Sequence, residues 1–127
     1  MIEPDDASED RTRDVALSRP LSEIKAELFR ALAHPARVRA LDLLAEGERS
    51  VGDMAPLVGI ELSHLSQQLG VLRRAGLVTT RKEGSNVFYA LRDPATVELL
   101  AAAKRVLINS LSETQQLLAG LQVEESR

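Results

Sequence analysis

Apolar residues recur every three or four positions along most of the chain, a period that is typical of helices with one buried face. Between residues 77 and 91 two short runs of β-type residues instead flank the polar segment Glu83–Asn86, a pattern that is typical of a β-hairpin. The pattern therefore predicts a mainly α fold with one two-stranded hairpin. The predicted helices are Leu21–Ala33, Pro35–Ala45, Val51–Val58, Leu62–Ala75 and Pro94–Leu118, and the predicted strands are Leu77–Lys82 and Val87–Leu91.

The first two predicted helices each carry an apolar stripe that should face a core. The first stripe consists of Leu21, Ile24, Leu28 and Leu32, widened by Phe29, and the second consists of Val38, Leu41, Leu44 and Ala45.

Residues that break or cap helices separate these elements. His34 precedes Pro35, and because the residue before proline disfavours the α region, we interpret His34 as a structural loop residue. Ser50 and Asp93 are of the type that caps helix N-termini. Gly59 is expected to form the tight turn before the fourth helix.

The length of 127 residues suits one compact domain, which we assign to residues 21–118. Residues 1–20 are acidic, show no apolar period and are predicted to form a disordered arm. Residues 119–127 are expected to form a polar tail. No apolar run approaches the roughly 20 residues of a membrane span, and we expect a cytoplasmic protein.

The predicted helix Leu62–Ala75 has two different faces when its residues are placed about 100° apart. One face is a Leu stripe, and the opposite face is polar at its start and cationic further along. Leu62 lies between the faces, where we expect half-buried packing rather than contact with a thymine methyl group. The stripe consists of Leu65, Leu69 and Leu72, and the outward and flanking residues are Ser63, His64, Ser66, Gln67, Gly70 and Arg74.

A helix that follows a glycine turn and precedes a hairpin predicts a winged helix-turn-helix. Ser and Gln offer donors and acceptors to base edges, whereas cations on the helix and hairpin attract the phosphate backbone. The alternatives are an ordinary solvated helix face and a charged surface hairpin. The candidate DNA-binding residues are Ser63, His64, Ser66, Gln67, Arg73, Arg74, Arg81, Lys82 and Asn86.

The charge distribution favours double-stranded DNA as a partner, although the net charge is −3 and the pI is about 5.4. Residues 1–14 carry six acids and two bases, whereas residues 61–92 carry five bases and two acids. DNA binding depends on the local electrostatic field more than on total charge. The basic segment that contains the predicted helix and hairpin therefore remains a candidate DNA-binding site.

The last predicted helix is longer and more apolar than a small domain can cover alone, and we interpret it as a homodimer face together with the first helix. The alternative is a core helix that closes the monomer. The candidate interface residues are Leu21, Ile24, Leu28, Leu100, Ala103, Leu107, Leu111 and Leu118.

Three segments carry a resemblance to a known family. They are LFRALAHPARVRALDLL, SVGDMAPLVGIELSHLSQQLGVLRRAGLV and RKEGSNVFYAL, and they resemble the ArsR/SmtB family of bacterial transcriptional repressors over about residues 21–118. The resemblance implies a dimeric winged helix-turn-helix repressor that binds a palindromic operator and leaves it when an effector binds. The chain departs from the family pattern at Glu61, where Ser or Thr usually caps, at Gln68, where His is common, and at Pro56.

Metal sensing in the resembled family uses Cys in the first helix of the helix-turn-helix, or Asp and His on the last helix. This chain has no Cys, its last helix has no His, and its two His residues are His34 and His64. We therefore expect no metal cofactor, and we interpret His64 as a DNA contact. A metal-responsive repressor with an atypical site is the alternative, and the sequence identifies no small-molecule effector.

The sequence also argues against catalysis. It contains no nucleophile–base pair at motif spacing and no glycine-rich phosphate loop, so we expect that the protein is not an enzyme. A winged-helix module that binds proteins rather than DNA is the stronger competing class. That class would need an apolar recognition face, and the outward positions here are polar.

Overall fold

The computed structural model describes residues 20–125, in which five helices and three strands follow one another. The predicted N-terminal arm lies outside the described residues, except for Pro20 in the first helix. In chain order the elements are α1 (residues 20–32), α2 (Pro35–Leu44), β1 (Arg49–Ser50), α3 (Val51–Val58), α4 (Leu62–Arg74), β2 (Val78–Glu83), β3 (Asn86–Leu91) and α5 (Ala95–Glu125). The predicted helices and hairpin are confirmed, and their ends agree closely except at the end of α5.

Side-chain caps set several helix boundaries. The Ser50 hydroxyl accepts a hydrogen bond from the Asp53 amide at 3.1 Å at the start of α3, and the Asp93 carboxylate accepts one from the Ala95 amide at 2.9 Å at the start of α5. His34 caps α2, because its Nδ1 accepts a hydrogen bond from the amide of Ala36 at 3.1 Å. The structural role predicted for His34 is therefore confirmed, and that role is to cap the N-terminus of α2.

Gly59 ends α3 and makes the turn of the helix-turn-helix. Its φ of 84° places it in the left-handed region, which a side chain would disfavour, and its amide bonds to the carbonyl of Ala55 at 2.9 Å. The predicted tight turn is confirmed, and it directs α4 away from α3.

The hairpin belongs to a three-stranded antiparallel sheet of order β1-β3-β2. The third strand, β1, was not predicted, because two residues are too few to show an alternating pattern. Thr80 and Arg49 both lie opposite Tyr89, which is buried, while Arg81 and Ser50 both lie opposite Phe88 on the other face. The sheet thus has a core face and an outer face.

The core lies between α2, α3, α4 and the sheet. Burying one Leu or Val side chain contributes about 1.5–3 kcal/mol, so these positions dominate the packing energy of the domain. Among the described residues, the largest fully buried side chains are Leu41, Met54, Leu65, Leu69, Leu72 and Val78.

Two predicted core stripes are only partly correct. In α2, Leu41 and Leu44 are buried, but Val38 is half-buried, and Ala45 is exposed because it follows the last helical residue. In α1, Leu28 and Leu32 pack against the core, whereas the remaining stripe residues face outward. Those exposed residues are Leu21, Ile24 and Phe29.

Helix α5 leaves the body of the domain after its first turns. Thr96 is buried and Leu100 is half-buried, but every described side chain from Ala103 to Glu124 is exposed. Its 31 residues make it about 46 Å long. The helix continues to Glu125, so residues 119–125 are helical where a tail was expected. In the described span, no helix combines the length and apolarity needed to cross a membrane.

Candidate nucleic-acid interface

Helix α4 separates a buried apolar face from an exposed polar one, as its sequence period predicted. Leu65, Leu69 and Leu72 have no exposed surface and hold the helix against the core. The predicted outward residues point away from the core, except that Ser66 and Gly70 are half-buried. The exposed polar residues are Ser63, His64, Gln67, Arg73 and Arg74.

The N-terminus of α4 has no side-chain cap among the described residues. Glu61 occupies the cap position in an extended conformation, and among the described residues its side chain makes no capping hydrogen bond. Amides of a helix N-terminus attract anions, although the Glu61 carboxylate opposes that effect. The departure from the family pattern at Glu61 thus leaves the helix start without a side-chain cap.

The prediction that Leu62 is half-buried is wrong, since 54% of its surface is exposed. It faces a shallow cleft of about 270 Å³ between the start of α4 and the hairpin tip. Ser66 and Asn86, two candidate DNA contacts from different elements, line the same cleft. The angular estimate failed for Leu62 because the cleft beside it leaves the first residue of α4 open to solvent.

Three positive side chains near this surface make no ion pair within the described part of the chain. They are Arg73, Arg74 and Lys82. All three are exposed, on the last turn of α4 and on β2. They are placed where a phosphate group could approach them from solvent.

Arg81, the fourth candidate cation, is engaged in side-chain contacts that the sequence did not reveal. Its Nε and one terminal nitrogen donate to the two carboxylate oxygens of Glu48, at 3.2 and 2.6 Å. Its other terminal nitrogen donates to Glu83 at 2.8 Å. The guanidinium carbon lies 4.7 Å from the centre of the Phe88 ring.

These contacts shift the protonation equilibria of the paired groups. The hydrogen bond from Arg81 lowers the pKa of the Glu48 carboxyl below its ordinary value. The hydrogen bonds to Glu48 and Glu83 raise the pKa of Arg81 further. A lowered carboxyl pKa means that the pair is complete above the ordinary pKa of Glu and is lost as the pH falls through the lowered value.

Gln68 is half-buried and bonds to α2 rather than pointing outward from α4. Its side-chain oxygen accepts a hydrogen bond from Nε of Arg37 at 2.8 Å. Arg37 also donates to the carbonyls of Arg30 and Ala31, both at 3.2 Å. Arg37 therefore connects the end of α1 to α4, and Gln68, the residue that departs from the family pattern, is the α4 partner in this connection.

The candidate dimer residues form exposed apolar surface on α1 and α5. Leu28 and Leu100 are partly covered by the protomer's own core, and Ala103 is exposed. More than half of the surface is exposed at the five other positions. These are Leu21, Ile24, Leu107, Leu111 and Leu118.

The structure also bears on a metal site. Among the described residues, no group of three or more His, Cys, Asp or Glu side chains is arranged to hold a metal ion. His34 and His64 lie in separate elements, the first as the α2 cap and the second on the exposed face of α4.

The sequence and fold match known bacterial regulators. A family model described as "Bacterial regulatory protein, arsR family" matches residues 34–80. An uncharacterized HTH-type transcriptional regulator of Mycobacterium tuberculosis, Rv0081, is 51% identical over 105 residues, which are 82% of this chain and 92% of that protein. The crystal structure of Rv0081 matches with a TM-score of 0.69 and 54% identity, over 74% of this chain and 95% of that chain.

Two further relatives carry more specific descriptions. The biofilm growth-associated repressor of Agrobacterium fabrum is 47% identical over 77 residues, which are 61% of this chain and 66% of that protein. A homodimeric winged helix-turn-helix DNA-binding domain of Mycobacterium bovis matches with a TM-score of 0.68 and 33% identity, over 76% of this chain and 89% of that chain.

Proposed function

This chain belongs to the ArsR family of bacterial transcriptional regulators, and from that premise we propose that it is a repressor that binds a palindromic DNA operator as a homodimer. The membership confirms the resemblance drawn from the sequence, the winged helix-turn-helix fold and the expectation that the chain is not an enzyme. The palindromic operator, the homodimeric state and control by something other than a metal are proposed.

The observation that carries the proposal is the two-faced construction of α4. Its Leu stripe is fully buried while Ser63, His64 and Gln67 are exposed at the end next to the wing, the hairpin β2–β3. Polar side chains at the start of a recognition helix can reach base edges in the major groove. We assign base reading to these three residues together with Ser66.

The surrounding cations supply attraction to the phosphate backbone. Arg73, Arg74 and Lys82 are exposed and make no ion pair within the described residues, so they can approach phosphates without first losing a carboxylate partner. Asn86 lines the cleft beside Ser66, where it can contact the sugar-phosphate backbone of DNA or the minor groove. Arg81 is paired with Glu48 and Glu83, so we do not assign it a phosphate contact.

The homodimer is supported by the apolar surface that one protomer leaves uncovered. Exposed Leu side chains on α1 and α5 would be unfavourable in water over so long a helix, and a second copy offers the same surface in return. Two symmetry-related recognition helices would then require a palindromic site. The homodimeric Mycobacterium bovis domain lends support to this arrangement.

Repression is supported by the name of the Agrobacterium relative, and we propose that metals do not control it. The chain lacks Cys, and its two His residues lie in separate elements. A small-molecule effector of unidentified chemistry remains part of the proposal. Because the proposed ligand is chromosomal DNA, we place the protein in the cytoplasm.

The proposal is tested by fluorescence anisotropy with duplexes that tile the DNA upstream of the protein's own gene. We expect one duplex to bind at least about 1,000-fold more tightly than a scrambled duplex, at one dimer per site. In vitro transcription from that promoter should fall when the protein is added. Equal affinity for both duplexes would refute sequence-specific binding, no binding to any duplex would favour the protein-interaction module, and increased transcription would make the protein an activator.

A further inference from the structure

The guanidinium group of Arg81 is surrounded on two edges and one face. Glu48 accepts two hydrogen bonds along one edge, Glu83 accepts one at another, and the Phe88 ring covers a face. Paired hydrogen bonds to one carboxylate define the orientation of an Arg side chain more closely than a single contact does. Arg81 is therefore held in one place, although about half of its side-chain surface is exposed.

The local charge disfavours a phosphate contact at Arg81. One guanidinium faces two carboxylates, so this cluster carries a net charge of −1. A phosphate would have to approach both carboxylates or displace them from Arg81. Lys82, the next residue along the same strand, makes no ion pair within the described part of the chain and meets no such obstacle.

The partners of Arg81 lie in different parts of the fold. Arg81 and Ser50 both lie opposite Phe88, on β2 and β1 respectively, so all three share the outer face of the sheet. From β2, the Arg81 side chain crosses above Phe88 to reach Glu48, directly before β1. Glu83, in contrast, lies on β2 itself. The bond to Glu48 thus joins the wing to the segment that leads into the helix-turn-helix.

Backbone pairing alone fixes this junction weakly. The strands β1 and β3 pair at only two positions, Arg49 with Tyr89 and Ser50 with Phe88, whereas β2 and β3 pair at six. The buried side chains of Val78 and Tyr89 hold the base of the wing in the core, and beyond that base β1 offers the wing only these two pairs. The Arg81–Glu48 contact crosses that junction.

We propose that Arg81 is a positioning residue, which clamps the wing to Glu48 and thereby sets the angle between the wing and the recognition helix. Its contribution to DNA binding is the placement of Lys82 and Asn86 on the duplex rather than a phosphate contact of its own. The DNA part of this inference rests on the proposed function, whereas the clamp itself is a property of the free protein.

Two substitutions with the same chemistry give opposite expectations. Glu48→Gln and Glu83→Gln each remove one negative charge from the cluster, and simple attraction to DNA would make both variants bind more tightly. If Arg81 positions the wing, Glu48→Gln instead weakens operator binding by about two- to fivefold per protomer, the range expected for an exposed ion pair. Glu83→Gln leaves the bond across the sheet intact and should bind at least as tightly as wild type.

The dependence of affinity on salt separates positioning from phosphate contact. Lys82→Ala should lower the slope of log affinity against log salt by about one unit per protomer. Arg81→Gln should weaken binding while leaving that slope nearly unchanged, and the double variant Glu48→Gln/Arg81→Gln should be no weaker than Arg81→Gln alone. A slope that falls for Arg81→Gln as it does for Lys82→Ala, or tighter binding by Glu48→Gln, would overturn the proposal.

Hydrogen exchange in the DNA-free protein tests the clamp without reference to DNA. Backbone amides in the β1–β3 pairing should exchange faster in Glu48→Gln and Arg81→Gln than in wild type. In Glu83→Gln, their exchange rates should equal those of wild type. Unchanged exchange in all three variants would refute the clamp. Faster exchange in a protein that binds no DNA would retain the clamp and reject the proposed function.

Discussion

Helices α4 and α5 carry similar Leu repeats but use them differently. In α4, the three Leu side chains of the stripe have no exposed surface, because α2, α3 and the sheet cover them. In α5, Leu107 and Leu111 are each 64% exposed. The same periodic pattern therefore marks a face covered within the protomer in one helix and a face that requires a partner in the other.

The largest effect should come from placing charge on the uncovered face. Leu107→Glu/Leu111→Glu would bury carboxylates in the proposed dimer interface, so sedimentation should show the mass of one protomer. Operator affinity should fall by about 100-fold or more, because the two half-sites are no longer bound by linked modules. Ser112→Glu, on the polar side of α5, is the control and should keep the dimer mass. An unchanged mass for the double variant would assign the α5 face to another use.

The stability of matched Leu→Ala variants in α4 and α5 shows which of the two Leu faces is covered within one protomer. Leu69→Ala creates a cavity in the core and should lower the free energy of unfolding by about 2–5 kcal/mol. Leu111→Ala, the matched change on α5, should reduce stability by an amount that depends on protein concentration, since it weakens association. Denaturant unfolding at several concentrations checks both variants. A concentration-independent loss for Leu111→Ala would indicate that α5 closes the monomer.

The exposed face of α4 can be tested with two adjacent glutamines. Gln67→Ala should reduce the preference for the operator over a scrambled duplex by about 1–3 kcal/mol per half-site, while leaving the salt slope nearly unchanged. Gln68→Ala is the control: its side chain bonds to Arg37, so the substitution should affect folding stability more than base preference. Equal weakening of both duplexes by Gln67→Ala would mean that Gln67 does not read bases.

The smallest effect is expected from metals. If the α5 face contacts a second protomer and holds no metal, then chelator and added zinc, cobalt or nickel should leave operator affinity unchanged. Anisotropy titrations with stoichiometric metal provide the measurement. A tenfold loss of affinity with any one metal would show that α5, or another part of the chain, contains an atypical metal site.

Patterns within one element were predictable because they depend on local periodicity. The limits of α3, the caps at Ser50 and Asp93, and the Leu stripe of α4 all follow from residues close together in the chain. For the candidate DNA-binding residues on α4, the period identified which ones face away from the core, although Ser66 is half-buried.

The tertiary structure decided which side chains meet across elements. Arg81 and Glu48 are 33 positions apart, and Arg37 and Gln68 are 31 positions apart, so no local period relates them. Whether a cation is exposed to phosphate or bound by carboxylates depends on strand order and register. The sequence determined that the wing is basic, and the fold determined that Arg81 is paired while Lys82 is not, because only folding brings the segment before β1 to the edge of the hairpin.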